Sequence, residues 1–262
     1  MSTEIFDLEN VHIEAIVSGK GEITILLAGL GGEASTYDEF TPLLNKAGYK
    51  TVAINLRGIA GSKGPLEDIT LHDLADDVAG VIKTLSKLPV HVVGWAFGNR
   101  VARCLAEDHP QIVKSVTLLA AGGRAAPDQE AMKNLGKFFN TNLSNKERME
   151  AARLSLFSPS TDANTVYKAM RGGRSWPIAT SAHSKANQST PVMEWWNGGQ
   201  TPMLVIQGLD DLIAVPENGE ILKKDNGDRV RLVNIEKAGH SLIREKPDRI
   251  AEEMITFYSN FQ

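Results

Sequence analysis

The sequence predicts an α/β protein: a mostly parallel sheet with helices on both faces and a helical insertion late in the chain. Three observations carry that expectation. Short apolar runs ending in glycine recur, stretches with helical spacing lie between them, and one segment, 123–200, interrupts the alternation. Strand and helix in regular alternation imply parallel strands joined by crossover helices.

The elements follow in order. "VHIEAIVSG" (11–19) alternates apolar and polar residues, as a half-exposed antiparallel strand does. "ITILLAGLGG" (23–32) and "TVAINLRG" (51–58) are continuous apolar runs, the pattern of strands buried on both faces. Between 71 and 87, Leu71, Leu74, Val78, Val81, Ile82 and Leu85 fall on one helical face. "VHVVGW" (90–95) is another buried strand, and "FGNRVARCLAEDHP" (97–110) a helix stopped near Pro110. "VKSVTLLAAG" (113–122), "PMLVIQG" (202–208) and "RVRLVNIE" (229–236) read as strands, and 244–261 as a closing helix. Residues 123–200 contain helical patterns and the loop-like "GGRSWP" and "WWNGGQTP", but no convincing strand. They are expected to form a lid over the strand ends of a core built from 1–122 and 201–262. Ten Lys and Arg against six Asp and Glu give this lid a charge of +4 and leave −8 for the remainder.

The totals narrow the function. The chain has 262 residues, 42% hydrophobic and 23% charged, ordinary for a globular domain with a large core. A net charge of −4 offers no long-range attraction to nucleic acid or anionic membrane. Cys104 is the single cysteine, so neither an internal disulfide nor a thiolate cluster can form, and a small buried apolar role is expected for it. "MSTEIFDLEN" lacks a basic start followed by an apolar run, and no stretch approaches the roughly 20 apolar residues of a membrane span. A cytoplasmic monomer or homodimer acting on a small molecule is expected. No His/Cys/Asp/Glu spacing suggests a metal, and "GLGG" lacks the lysine and serine of a phosphate loop, so no cofactor is expected.

Three groups fall at carboxyl ends of expected strands, where open α/β sheets place ligands. The first is Gly94-Trp95-Ala96-Phe97-Gly98, a tight strand-to-helix turn whose glycines let the central residue stand at the tip. The second, "GLDDLIAVP" (208–216), carries Asp210 and Asp211. The third, "KAGHSL" (237–242), carries His240. Each alone admits a plain structural reading: close packing, a solvated turn, a surface histidine.

Their order resembles the α/β-hydrolase family: elbow, acid, histidine, with a lid after the sixth strand. The resemblance covers nearly the whole chain and implies an eight-stranded, mostly parallel sheet. The G-x-x-D pattern after the penultimate strand implies Asp211 as the acid, with Asp210 its less favoured neighbour, and the GH pair implies His240 as the base. "LAGLGG" (27–32) resembles the oxyanion loop, with Ala28 where histidine is usual, and implies the backbone N–H groups of Leu30 and Phe97 as the oxyanion hole. "INLRGIAGS" (54–62) resembles a turn that usually starts with aspartate, here Asn55. The larger departure is Ala96 at the nucleophile position.

Alanine offers no nucleophile, which closes the acyl-enzyme route. An Asp211–His240 pair, the two amides and the positive end of the following helix are untouched by that change. The leading expectation is therefore hydrolysis of a small ester, amide or lactone-type carbonyl by His–Asp activation of water. Three alternatives stand beside it: a serine hydrolase whose serine has been replaced by alanine to trap a complex, a His–Asp lyase or cofactor-free oxygenase, and a ligand-binding pseudoenzyme. Trp95, Trp176 and His183 are candidates for the substrate wall. Trp195 and Trp196 are read either as lining or as packing of lid on sheet. Arg171 and Arg174 hint at an anionic substrate, although an exposed helical face explains them equally well. His12, His72, His91 and His109 are assigned structural roles.

Overall fold

The apolar runs become one eight-stranded sheet in the computed structural model, which describes residues 1–171 and 174–261. Along the chain the elements are β1 (Ser2–Asp7), β2 (His12–Ser18), β3 (Glu22–Leu27), α1 (Thr41–Lys46), β4 (Tyr49–Ile54), α2 (Leu71–Leu85), β5 (Val90–Trp95), α3 (Phe97–Asp108) and β6 (Val113–Leu119). Four helices follow: α4 (Gln129–Phe139), α5 (Asn145–Leu156), α6 (Ala163–Met170) and α7 (Pro177–Ser189). The chain closes with β7 (Met203–Gly208), α8 (Glu217–Asn226), β8 (Val230–Ile235), α9 (Leu242–Glu245) and α10 (Pro247–Tyr258).

The strand order is β1-β2-β4-β3-β5-β6-β7-β8, antiparallel at β1·β2 and β2·β4 and parallel elsewhere. From β3 the chain runs outward to β4, then crosses back to β5 on the other side. The order therefore reverses between β3 and β5, the position at whose carboxyl ends open α/β sheets place ligands. Successive residues of the central strands feed opposite layers: Ile25 and Leu27 pack with α2 and α3, while Leu26 packs with α1 and α10. β7 does the same, with Met203 and Val205 on the first side and Leu204 and Ile206 on the second. Burial on both faces is why these runs carry no polar alternation; each fully buried aliphatic side chain contributes about 1.5–3 kcal/mol.

Helix α2 starts where the sequence changes period. The Thr70 hydroxyl accepts from the Asp73 N–H while the Asp73 carboxylate takes the Thr70 N–H, and Leu71, Leu74, Val78, Val81 and Ile82 are buried behind that cap. The expected closing helix 244–261 is instead two helices. Pro247, which has no N–H to continue a helix, starts α10 afresh after α9. Strand β1 carries no apolar run to mark it in the sequence; it pairs with β2 along its length and leaves Ile5 51% exposed. Among the described residues no helix is long and apolar enough to cross a membrane.

The helices between β6 and β7 have a small core of their own, built from Ala152, Leu156, Phe157 and Val166. Trp195 and Trp196 are buried against the sheet layer instead. The guanidinium of Arg103 lies 4.5 Å and 5.0 Å from their ring centroids, so their role is packing rather than lining. Gly172 and Gly173, the glycines between Arg171 and Arg174, lie outside the described residues.

Candidate functional site

The elbow forms because two glycines allow it. A Cβ at Gly94 would lie 2.4 Å from the Asn99 backbone, and one at Gly98 would lie 2.2 Å from the Leu27 carbonyl oxygen. Within that turn Ala96 takes φ 50° and ψ −110°, a conformation that L residues rarely adopt and that costs on the order of 1–3 kcal/mol. The Ala96 N–H donates to Leu119 O at 3.0 Å, and Ala96 O accepts the Asn99 N–H at 3.2 Å, so the strained residue is pinned at both ends.

The loop after β3 lies against this tip: a Cβ on Gly29 would be 3.6 Å from the Ala96 methyl group. Leu30 follows in that loop and Phe97 opens α3; among the described residues neither backbone N–H has a hydrogen-bond acceptor. Asn55 fixes where the loop leads. Its Oδ1 accepts the Ala34 N–H at 2.6 Å and its Nδ2 donates to Glu14 at 2.7 Å. An aspartate there cannot donate to Glu14, which gives the departure at this position a local cause.

Asp211 is 1% exposed and gathers three donors. Its Oδ1 accepts the Ile213 and Ala214 N–H groups, each at 2.8 Å, and His240 Nδ1 stands 2.9 Å from its Oδ2. A carboxylate only accepts, so Nδ1 carries the proton and the imidazole lone pair sits on Nε2. Asp210 points elsewhere and accepts the Ser158 hydroxyl at 2.6 Å. The two adjacent acids thus have different partners: Asp211 holds the imidazole, and Asp210 holds the segment after α5.

The loop bearing His240 is clamped on both sides. A Cβ on Gly239 would lie 2.7 Å from the backbone at Phe157–Ser158, and the Ser241 N–H donates to Leu156 O at 2.7 Å. The Glu245 carboxylate accepts the N–H groups of Gly239 at 2.8 Å and Ser158 at 2.9 Å. Burial, the largest influence, pushes the Glu245 carboxyl up, while these donors and Thr161 pull it down. No sequence motif signals this clamp, because its partners come together only in the fold.

The three proposed wall residues diverge. Trp95 Nε1–H donates to His240 O at 2.8 Å, and its ring centroid lies 6.2 Å from the imidazole. His183 is buried; its Nε2–H donates to Arg57 O at 3.0 Å and its ring stacks on Phe97 at 5.6 Å with 5° between planes. Burial lowers its pKa from 6.5 to about 4. Trp176 is farther out. Its Nε1–H donates to Glu33 at 2.7 Å, and it lines a polar depression of about 480 Å³ with Glu33, Asn55 and Arg174. A second depression, about 770 Å³, lies between residues 66–70 and α7. Neither is lined by Ala96, Leu30, Phe97, Asp211 or His240.

The family model described as the alpha/beta hydrolase fold matches residues 25–247. A Mycobacterium tuberculosis protein provisionally named non-heme bromoperoxidase BpoC is 26% identical over 262 residues, covering 93% of this chain and 96% of its own. Its crystal structure superposes with a TM-score of 0.81 over 95% of this chain and 96% of that one. A pimeloyl-acyl-carrier-protein methyl ester esterase of Neisseria meningitidis is 28% identical over 228 residues, covering 82% of this chain and 70% of its own. An esterase from Exiguobacterium antarcticum, 16% identical, has a TM-score of 0.84 over 99% of this chain and 100% of that one, a likeness of fold.

Proposed function

The chain belongs to the α/β-hydrolase fold family, and from that premise we propose that it is a hydrolase in which His240, steadied by Asp211, activates water for direct attack on a small ester, amide or lactone-type carbonyl. The observation that carries this reading is the 2.9 Å contact between His240 Nδ1 and Asp211, which leaves Nε2 free as a base. In the proposed step Nε2 takes a proton from water as the oxygen attacks. The Leu30 and Phe97 amides receive the oxyanion, and the N-terminus of α3 adds its partial positive charge. The protonated imidazole then returns the proton to the departing alcohol or amine. Ala96 contributes a methyl group and no covalent intermediate. Residues 123–200 act as the lid over the core, with Trp95 beside the imidazole and His183 stacked on Phe97 shaping the substrate side, while Trp176 lines a separate depression with Glu33. The esterase among the relatives favours an ester as the bond broken.

Initial rates on a panel of p-nitrophenyl esters, anilides and lactones test the reading with three proteins: wild type, His240→Ala and Ala96→Ser. Wild type is expected to turn over, and H240A to lose about 10²–10⁴-fold in kcat/KM while still binding substrate. A96S is expected to gain less than about tenfold. A gain of several orders in A96S assigns the chain to serine chemistry, with alanine standing in for the nucleophile. Turnover that yields an elimination or oxygenation product points to the lyase or oxygenase alternative. Binding without turnover in any protein leaves a ligand-binding role.

A further inference from the structure

Away from the elbow, the first turn of α2 meets the last turn of α3, and three chemically different side chains converge there. His72 Nδ1 lies 2.7 Å from Asp108 Oδ2 and 3.3 Å from Cys104 Sγ, and Sγ is 3.5 Å from Asp108 Oδ2. Sequence spacing concealed the group, since His72 and Cys104 are 32 residues apart. We propose that His72, Cys104 and Asp108 form a metal site of the zinc class that ties α2 to α3.

The donor triangle has suitable dimensions. A cation about 2.3 Å from the sulfur and about 2.0–2.1 Å from the nitrogen and oxygen would subtend roughly 100° on the S–N edge and 107° on the S–O edge. Both are close to tetrahedral. The N–O edge is the short one, as befits two groups now joined by a hydrogen bond, and opens by about half an ångström when a cation replaces that proton.

The surroundings provide what such a site requires. Glu194 Oε2 accepts from His72 Nε2 at 3.0 Å, the carboxylate–imidazole arrangement that fixes the tautomer and turns Nδ1 toward a metal. Thiolate and carboxylate together neutralise a dication. Asp108 and Glu194, each in contact with His72, add negative charge around the group, and such surroundings favour a divalent cation. Cys104 is fully buried, whereas the His72 and Asp108 side chains are 36% and 25% exposed, so the fourth ligand is a solvent water. A thiolate–imidazole–carboxylate set selects zinc over magnesium or calcium.

The single cysteine makes the test specific, because any thiolate–metal signal reports this site. The untagged full chain, stripped with chelator and kept reduced, is titrated with Co²⁺. A near-ultraviolet thiolate-to-cobalt absorption is expected, together with tetrahedral visible bands, and Zn²⁺ should displace both. A hundredfold excess of Zn²⁺ over its Kd should raise Tm by roughly 5–10 °C. His72→Gln and Asp108→Asn should abolish the tetrahedral bands, and Glu194→Gln should keep them while weakening affinity about 10–100-fold. Circular dichroism confirms that each variant is folded. Absence of the absorption in the wild type overturns the proposal. So does an absorption that survives both H72Q and D108N, since that would be a thiol binding cobalt on its own.

Discussion

Replacing Asp211 with asparagine separates geometry from charge at the proposed catalytic base. The substituted amide has one oxygen and one nitrogen for the three donors that reach the native carboxylate, His240 Nδ1 lying nearer Oδ2, at 2.9 Å, than Oδ1, at 3.1 Å. Two donors, the Ile213 and Ala214 N–H groups at 2.8 Å, converge on Oδ1, so the amide oxygen must take that position. Its NH₂ then occupies the Oδ2 position, 2.9 Å from His240 Nδ1, where donor would face donor. The imidazole resolves the conflict by moving its proton to Nε2, and the lone pair that should receive water's proton points at the amide instead. The expected loss in kcat/KM is about 10³–10⁴-fold, or roughly 4–5.5 kcal/mol of transition-state stabilisation. Because all three contacts retain partners, stability should change by less than about 1.5 kcal/mol, and Tm by no more than roughly 6 °C. The assay is initial-rate kinetics on the best ester of the panel, with a thermal melt of the same sample. Asp210→Asn is the matched control: its contact is the Ser158 hydroxyl at 2.6 Å, and its loss should stay within about threefold. A folded D211N within tenfold of wild type refutes the argument, as does a D210N that falls as far as D211N.

Three further outcomes follow from the geometry. His183 binds its proton near pH 4 when folded and near 6.5 when unfolded, so between those values the unfolded chain holds more protons and stability rises with pH. This contribution, about 3 kcal/mol, is complete above pH 6.5 and lost as the pH falls toward 4; denaturant midpoints at both ends should show it, and His183→Gln should flatten the slope. Gly98→Ala would place a Cβ 2.2 Å from Leu27 O, a backbone clash that should cost at least about 3 kcal/mol and lower Tm by roughly 6–12 °C in a thermal melt. Ala96→Gly relieves strain of about 1–3 kcal/mol against an unfolded-state entropy cost of about 0.5–1 kcal/mol, so its Tm should equal or exceed that of wild type.

What the sequence made legible depended on how strongly burial dictates pattern. β3, β5 and β7 are buried on both faces, and their unbroken apolar runs cannot be mistaken for surface. β1 is an edge strand that buries only Phe6, so its six residues carry no periodicity to detect. α1 has only six residues, and α8 contains a glycine and buries only Asn218, Gly219 and Leu222; neither displays a clear apolar stripe. Within the candidate site, the order of motifs at strand ends points to Asp211 and His240, which stand 2.9 Å apart in the fold because topology brings those strand ends to one edge of the sheet. It could not identify Ser158, Glu245 or the His72–Cys104–Asp108 group, whose meaning lies in distances between remote segments. Trp195 and Trp196 admitted two readings until the position of Arg103 decided between them.

The absence of a hydroxyl at position 96 need not dismantle such a site, because no other part of it is positioned by that side chain. The turn is held by the crowding at Gly94 and Gly98 and by two backbone hydrogen bonds of Ala96 itself. The acid is held by the amides of Ile213 and Ala214, and the histidine loop by Leu156, Ser158 and Glu245. None of these anchors involves the side chain of residue 96, so each is indifferent to whether it ends in a methyl or a hydroxyl. A backbone conformation costing on the order of 1–3 kcal/mol is nevertheless kept at Ala96, where no nucleophile uses it. In the proposed mechanism the strained turn still has work to perform, since it starts α3 with the Phe97 N–H free to receive an oxyanion. On that reading the elbow serves as an electrostatic device as much as a mount for a nucleophile, and a base with water can use it without serine.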